Sequence, residues 1–366
     1  MSEGSATCPW LTRRAVKHGL FVNPKLLNIM FKKLAITAAG AYAALHLART
    51  IVRRRRDFDW LGKRVVITGG SRGLGLVIAR QLANQGARLA ICARGADELE
   101  RADRDLRQCG ADVFSEVCDV RDHDRVLSFI DRVVYQYGGV DVLINVAGII
   151  TVGPIDSMTV DDFQDSMQTN CFGALHTTLS VLPSMQSQGW GRIVNVASIG
   201  GKRAVPHMLP YAASKFALVG LSNGLRAELK RENIFVTTAC PGLMRTGSPR
   251  NAIFKGKHRQ EYAWFSIGDS LPVFSMDAYQ AASQILHACR HGRGEIFIHS
   301  PLNVTIALQQ MLPELSQEIL ALVASILPAM GGIGRNAARG YESESAWSPS
   351  ILTALTQQAA VANNEL

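Results

Sequence analysis

Seven short runs rich in β-branched residues recur between residues 64 and 299: RVVIT (64–68), RLAIC (88–92), DVFSEVC (112–118), DVLIN (141–145), GRIVNVA (191–197), IFVTTAC (234–240) and GEIFIH (294–299). Segments such as 122–137 and 212–231, with apolar residues at helical spacing, lie between them. Several runs are apolar at successive rather than alternate positions, as a strand buried on both faces requires. This alternation predicts an α/β fold, a doubly wound parallel sheet of about seven strands with helices on both faces.

The flanks read differently, so three regions are expected: a basic N-terminal arm over 1–60, a catalytic domain over 61–300, and a helical extension and tail over 301–366. The net charge of +9 sits almost wholly in the first 60 residues, which carry +8. A nucleic-acid enzyme would place its basic stripe on the folded domain, so no nucleic-acid partner is expected. Residues 26–52 read as one helix, but only 34–48 are free of Lys and Arg. Fifteen residues at about 1.5 Å each fall short of a bilayer core of about 30 Å. Three readings stay open for this segment: a membrane span or interfacial anchor, a helix packed on a partner, or a cleaved targeting peptide. Residues 301–330 are apolar with a helical pattern, and 331–366, rich in Gly, Ser and Ala, are expected to be irregular or docked on a partner. The seven cysteines form no Cys-x-x-Cys pair, so neither a disulfide framework nor a metal site is expected. The catalytic domain is therefore placed in a reducing compartment, cytoplasmic or membrane-associated.

The first run ends in TGGSRGLG and passes directly into VIARQLANQG. In a strand-to-helix turn Gly69 can take the tight turn, Gly73 admits a pyrophosphate to the backbone, and Gly75 lets the helix pack on the sheet. The spacing resembles the T-G-x-x-x-G-x-G loop of the short-chain dehydrogenase/reductase family, a Rossmann-type fold. Further matches follow in order. Asp119-Val120 resembles the pair at the adenine. Asn145-Val146-Ala147-Gly148 resembles N-N-A-G beside the adenine ring, with Val146 replacing the second Asn. Asn170, Ser198 and the YAASK segment carrying Tyr211 and Lys215 match the family's catalytic residues, and Pro241, Gly242 and Thr246 match the loop that closes over the nicotinamide.

The resemblance implies hydride transfer between a nicotinamide cofactor and a carbonyl or carbinol carbon. Tyr211 would be the acid/base, Ser198 would position the substrate oxygen, and Lys215 would hold the nicotinamide ribose and lower the tyrosine's pKa. Asn170 would hold a water of a proton relay. Tyr211 and Lys215, one helical turn apart, project from the same face. Ser71, Arg72, Gly73 and Leu74 complete the expected phosphate cradle. The end of the second run, Ala90-Ile91-Cys92-Ala93-Arg94, lacks the acid that would bond a ribose 2′-hydroxyl. Arg94 and Arg72 suit the extra phosphate of NADP(H), so NADP(H) is expected over NAD.

Substrate choice in such a family rests largely on the segment after Pro241-Gly242. Here it combines Phe254, Trp264, Phe265, Leu271 and Phe274 with Arg250, Lys255, Lys257, His258 and Arg259. An apolar pocket is expected for a hydrophobic carbonyl or alcohol of lipid, steroid or acyl type, and the basic cluster is either a cationic rim for an anionic head or a solvated face. The alternatives are an NAD-linked alcohol or hydroxysteroid dehydrogenase and a catalytically silent nucleotide-binding scaffold. The family implies a homodimer or homotetramer.

Overall fold

The computed structural model describes residues 24–298 and 300–366. Arg13, Arg14 and Lys17 of the basic N-terminal arm lie outside the described residues. The chain forms two units, 1–54 and 55–366. The described part of the first is α1 (Pro24–Arg55) up to residue 54. Among the described residues no helix is long and apolar enough to cross a membrane.

The second unit runs β1 (Arg64–Thr68), α2 (Gly73–Ala83), β2 (Arg88–Ala93), α3 (Ala96–Gln108), β3 (Val113–Val117), α4 (His123–Tyr137), β4 (Val142–Asn145) and the short β5 (Thr151–Val152). It continues with α5 (Val160–Met167), α6 (Gly173–Ser187), β6 (Gly191–Val196), α7 (Leu209–Leu229), β7 (Ile234–Pro241), and the short β8 (Leu243–Arg245) and β9 (Ile253–Phe254). Then follow α8 (His258–Ser270), β10 (Ser275–Asp277), α9 (Ala278–Arg290) and β11 (Glu295–Ile298). Helices α10 (Ser300–Met311) and α11 (Pro313–Ile326), the two-residue β12 (Ala338–Arg339) and α12 (Ala354–Ala362) close the chain.

The main sheet has seven strands in the order β11-β7-β6-β4-β1-β2-β3, all parallel. Each of the seven runs read from the sequence is one of these strands. Two cores explain why they are apolar at successive positions. Val65 and Ile67 face α2, α3 and α9 on one side, while Val66 between them faces α4 and α6 on the other. The order reverses direction between β1 and β4, so the loops after these strands diverge and leave a crevice at their carboxyl ends.

The tail corrects an expectation. Residues 331–353 are largely irregular, as expected, but the docked part of the tail, 338–366, packs on this same domain. β12 pairs antiparallel with β9, and the Thr356 hydroxyl donates to Asp269 of α8 at 2.5 Å. Complementarity between segments some 90 residues apart leaves no periodic mark in a sequence.

Candidate active site

The glycine loop is shaped by contacts that admit no side chain. Gly69 has φ +66°, and a Cβ there would stand 2.9 Å from the Ala147 backbone. A Cβ on Gly75 would fall 2.1 Å from the Gly69 carbonyl oxygen, because the first turn of α2 sits directly on the turn that leaves β1. Thr68 supports the neighbouring loop, its hydroxyl accepting from the Val146 and Ala147 amides at 3.2 and 3.3 Å. The loop forms one end of a cavity of about 900 Å³ that runs past Ala147 and Gly148 to Ser198, Tyr211 and Lys215.

Gly200 and Gly201 hold Ser198 against α7. A Cβ on Gly201 would lie 2.5 Å from the Lys215 carbonyl, and one on Gly200 would lie 3.2 Å from the Tyr211 ring. The Ser198 hydroxyl accepts from the Gly200 amide at 3.0 Å. Burial raises the Tyr211 hydroxyl above its ordinary pKa, and its hydrogen bond with Ser198 draws it back. Lys215 is buried, its Nζ donating to the Val196 carbonyl at 2.9 Å and lying 5.7 Å from the Tyr211 ring centre. Burial lowers its pKa to about 8. The sequence reading has Lys215 lowering the tyrosine's pKa, whereas here burial dominates both groups and Ser198 is what lowers Tyr211.

Asn170 sits in a π-helical turn at 168–172. Its Oδ1 accepts from the Ile149 amide at 2.8 Å, while Nδ2 donates to the Ile149 carbonyl and the Ser214 hydroxyl. Both of its N–H hydrogens are thus used within the protein. A Cβ on Gly148 would approach Asn170 Oδ1 to 2.9 Å and Lys215 Nζ to 3.6 Å, so these three residues share one tight corner.

Two expected cofactor residues do not line the cavity. Asn145 is buried, its Nδ2 donating to Asn195 Oδ1 and its Oδ1 accepting from the Thr177 hydroxyl. It ties β4 to β6 and α6, while Ala147 and Gly148 after it face the cavity. The Asp119 carboxylate is engaged by its neighbour Arg121 at 2.7 Å, while the adjoining Cys118 and Val120 face the cavity. In the second-strand corner Arg94 is exposed and makes no hydrogen bond or ion pair among the described residues. Arg72 lies 3.6 Å from the carboxylate of Glu365. Glu98, Arg339, Tyr341 and Glu365 line the same cavity. Sequence reasoning missed all four, since three come from the tail and Glu98 is an ordinary first-turn acid of α3.

The opposite end of the cavity is apolar, walled by Ile150, Val205, Met208, Leu243, Trp264 and Phe265. Phe254 lies in the core beneath it, Phe274 is exposed and Leu271 is not in its lining, so these three do not reach the chamber as expected. The basic cluster is not a rim. Lys255 is buried in an ion pair with Asp162 at 2.6 Å, Arg250 pairs with Glu344, and His258 Nδ1 meets the Ser343 hydroxyl.

Asp269, also on the wall, is buried, and burial pushes its carboxyl up to about 7 despite hydrogen bonds from Thr356 and the Met244 amide. Between the ordinary carboxylate value and pH 7 the folded state holds this proton and the unfolded state does not. The cost to stability therefore grows with pH through that window and is constant above it. Asp269→Asn should be stabilised over the native protein, with an advantage that grows by about 2 to 3 kcal/mol between pH 5 and pH 8. Thermal unfolding at the two pH values checks this, and an equal shift at both would remove the proton from the account.

A dinucleotide fits the residues present: a glycine loop at a helix N-terminus joined by one cavity to a Ser-Tyr-Lys cluster. The comparisons agree. Residues 63–253 match the family model described as short chain dehydrogenase. A putative ketoacyl reductase of Streptomyces coelicolor is 40% identical over 183 residues, 50% of this chain and 70% of that protein. Dehydrogenase/reductase SDR family member 7B of Danio rerio is 32% identical over 291 residues, 78% of this chain and 93% of its own. Among solved structures, a variant of actinorhodin polyketide ketoreductase with NADPH superposes with a TM-score of 0.58 at 31% identity, over 65% of this chain and 95% of that one. The glycine cradle, the reversal of strand order above it and these likenesses have one explanation: the chain belongs to the short-chain dehydrogenase family, oxidoreductases that act on carbonyl and alcohol groups with a nicotinamide dinucleotide.

Proposed function

We propose that this protein is an NADP(H)-dependent carbonyl reductase or alcohol dehydrogenase for a hydrophobic substrate, with Tyr211 as its acid/base. The observation that carries this reading is the continuity of the cavity: a phosphate cradle at one end, an apolar chamber at the other, and the Tyr211 and Ser198 hydroxyls between them.

The bound dinucleotide supplies or accepts the hydride. The chain's residues do the rest. Tyr211 donates its proton to the developing alkoxide in reduction, and a hydroxyl held protonated by burial suits that direction at neutral pH. Ser198 shares the same oxygen. Lys215 places a cation behind the tyrosine ring and is available to the ribose. With both Asn170 N–H hydrogens used, a water in the relay would rest on oxygen acceptors at that turn. The apolar wall, together with the pairing of Lys255 and Arg250, favours an uncharged ketone, aldehyde or alcohol of lipid or steroid type over one with an anionic head. Assembly as a homodimer or homotetramer remains part of the proposal.

NADP(H) preference rests on Arg94, which is free to meet a 2′-phosphate. A charge-assisted hydrogen bond is worth about 1.5 to 3 kcal/mol, so Arg94→Asp should bind NADPH roughly ten- to a hundredfold more weakly, with little change for NADH. The test is a screen of apolar ketones and alcohols with both cofactors, run on the native protein and on this variant. An unchanged NADPH-to-NADH ratio, or turnover confined to small polar sugars, would overturn the respective part of the reading.

A further inference from the structure

Residues 363–366 lie on the glycine loop. The Gly73 amide, first in α2, donates to the Asn363 carbonyl at 2.9 Å. This is one of the unpaired N-terminal amides that a helix offers to phosphate. Asn364 Nδ2 donates both to the Ser71 carbonyl and to the Glu98 carbonyl, at 2.8 Å each. It therefore bridges the β1–α2 loop to the first turn of α3. A Cβ on Gly73 would lie 2.6 Å from Glu365 Oε1, so the carboxylate occupies the space that the absent side chain leaves for an approaching anion.

We infer that the 363–365 segment is a displaceable plug: its backbone and the Glu365 carboxylate hold the dinucleotide's phosphate subsite, and the cofactor binds by expelling them. The inference rests on the family's dinucleotide site and deepens the proposed function, adding a competition within the chain.

Arg80, Arg101 and Asn251 hold the backbone carbonyls of Ala362, Leu366 and Glu365, but the seat of the Glu365 carboxylate itself is loose. The Glu365 carboxylate is buried, yet its cation, Arg72, stands at 3.6 Å, beyond hydrogen-bond length, and among the described residues only the Asn251 amide donates to it, at 2.7 Å. Burial accordingly raises the Glu365 carboxyl above its ordinary range, with Arg72 and Asn251 offsetting part of the cost. A pyrophosphate brought to the Gly73 amide would meet this carboxylate as a like charge, so the two cannot share the subsite. Expelling the tail also releases Arg72, one of the two guanidiniums assigned to a 2′-phosphate. The plug therefore opposes NADPH more than NADH.

The test measures NADPH and NADH binding by fluorescence titration, using the native chain, the chain lacking residues 363–366, and Glu365→Gln. If the plug is seated about nine-tenths of the time, its removal tightens NADPH about tenfold, because apparent affinity scales with the competent fraction. NADH should tighten less, and Glu365→Gln should fall between the native chain and the deletion. Unchanged or weaker NADPH binding by the shortened chain would overturn the plug and make the tail a wall of the site. A shortened chain that gains NADPH affinity but binds NADH equally well would support the plug and overturn the NADP preference. If no form binds either dinucleotide, the dinucleotide site and the plug fall together. Hydrogen exchange on the native chain gives an independent measure: amides of 360–366 should lose protection when NADPH saturates the protein, and retained protection would also overturn the plug.

Discussion

Replacing Tyr211 by Phe is expected to lower turnover by about a thousandfold while leaving NADPH binding within about twofold of native. The ring itself is structural, since Gly200 is kept bare so that the Ser198 loop can lie against it, and phenylalanine preserves that packing. What disappears is the hydroxyl, the group the geometry places between the dinucleotide cradle and the apolar chamber. Positioned proton transfer contributes about 10² to 10⁴ in rate, and neither neighbour can replace it. Ser198 is a far weaker acid, and Lys215, the group proposed for the ribose, has its Nζ 5.7 Å from the Tyr211 ring centre. Steady-state turnover and a binding titration on the same preparation separate chemistry from folding. Turnover within tenfold of native would remove Tyr211 from its proposed role and favour the silent-scaffold alternative for this cluster.

The second large effect is expected at Gly75. An added Cβ would meet the Gly69 carbonyl oxygen at 2.1 Å and its carbon at 2.9 Å. Both are backbone atoms of the turn that leaves β1, so no rotamer change relieves the clash. Either α2 lifts from the sheet or the cradle opens, and both outcomes move the amides that face a phosphate. Overpacking of this kind costs about 1 to 3 kcal/mol and occasionally more. Gly75→Ala should therefore lose dinucleotide affinity by about a hundredfold and lower the melting temperature. Gly224→Ala is the control, because nothing lies within 4 Å of a Cβ at this exposed position in α7. There the helix should gain about 0.5 to 1 kcal/mol from the loss of backbone freedom in the unfolded chain. Titration and thermal unfolding of both variants check the pair, and native-like dinucleotide binding by Gly75→Ala would show that the cradle does not depend on this contact.

Much of the domain was legible because its determinants are local. A parallel strand buried on both faces must be apolar at successive positions, and a loop that receives phosphate must give up its side chains. Those demands are written at Val65 to Ile67 and at Gly69 to Gly75, within a dozen residues. Ser198, Tyr211 and Lys215 were found by their order and spacing, and the fold brings all three to one cavity. Which way Asn145 faces was not legible, for an equally physical reason. An Asn at the end of a strand can face a ligand or turn inward, and here Asn195 and Thr177 provide the partners that turn it inward. The basic cluster at 250–259 was ambiguous because its counter-charges, Asp162 and Glu344, are close to it only in space.

By itself, then, the sequence determined the sheet, the glycine cradle and the Ser198, Tyr211 and Lys215 cluster, each specified by periodicity or by a short motif. Tertiary structure alone decided that α7 leaves Lys215 buried with its pKa near 8, and that Asp269 keeps its proton into the neutral range. It also decided that Glu365 closes on Arg72 and Gly73 from almost three hundred residues away. Such effects arise from burial and from charge meeting charge across the fold, and neither leaves a pattern along the chain.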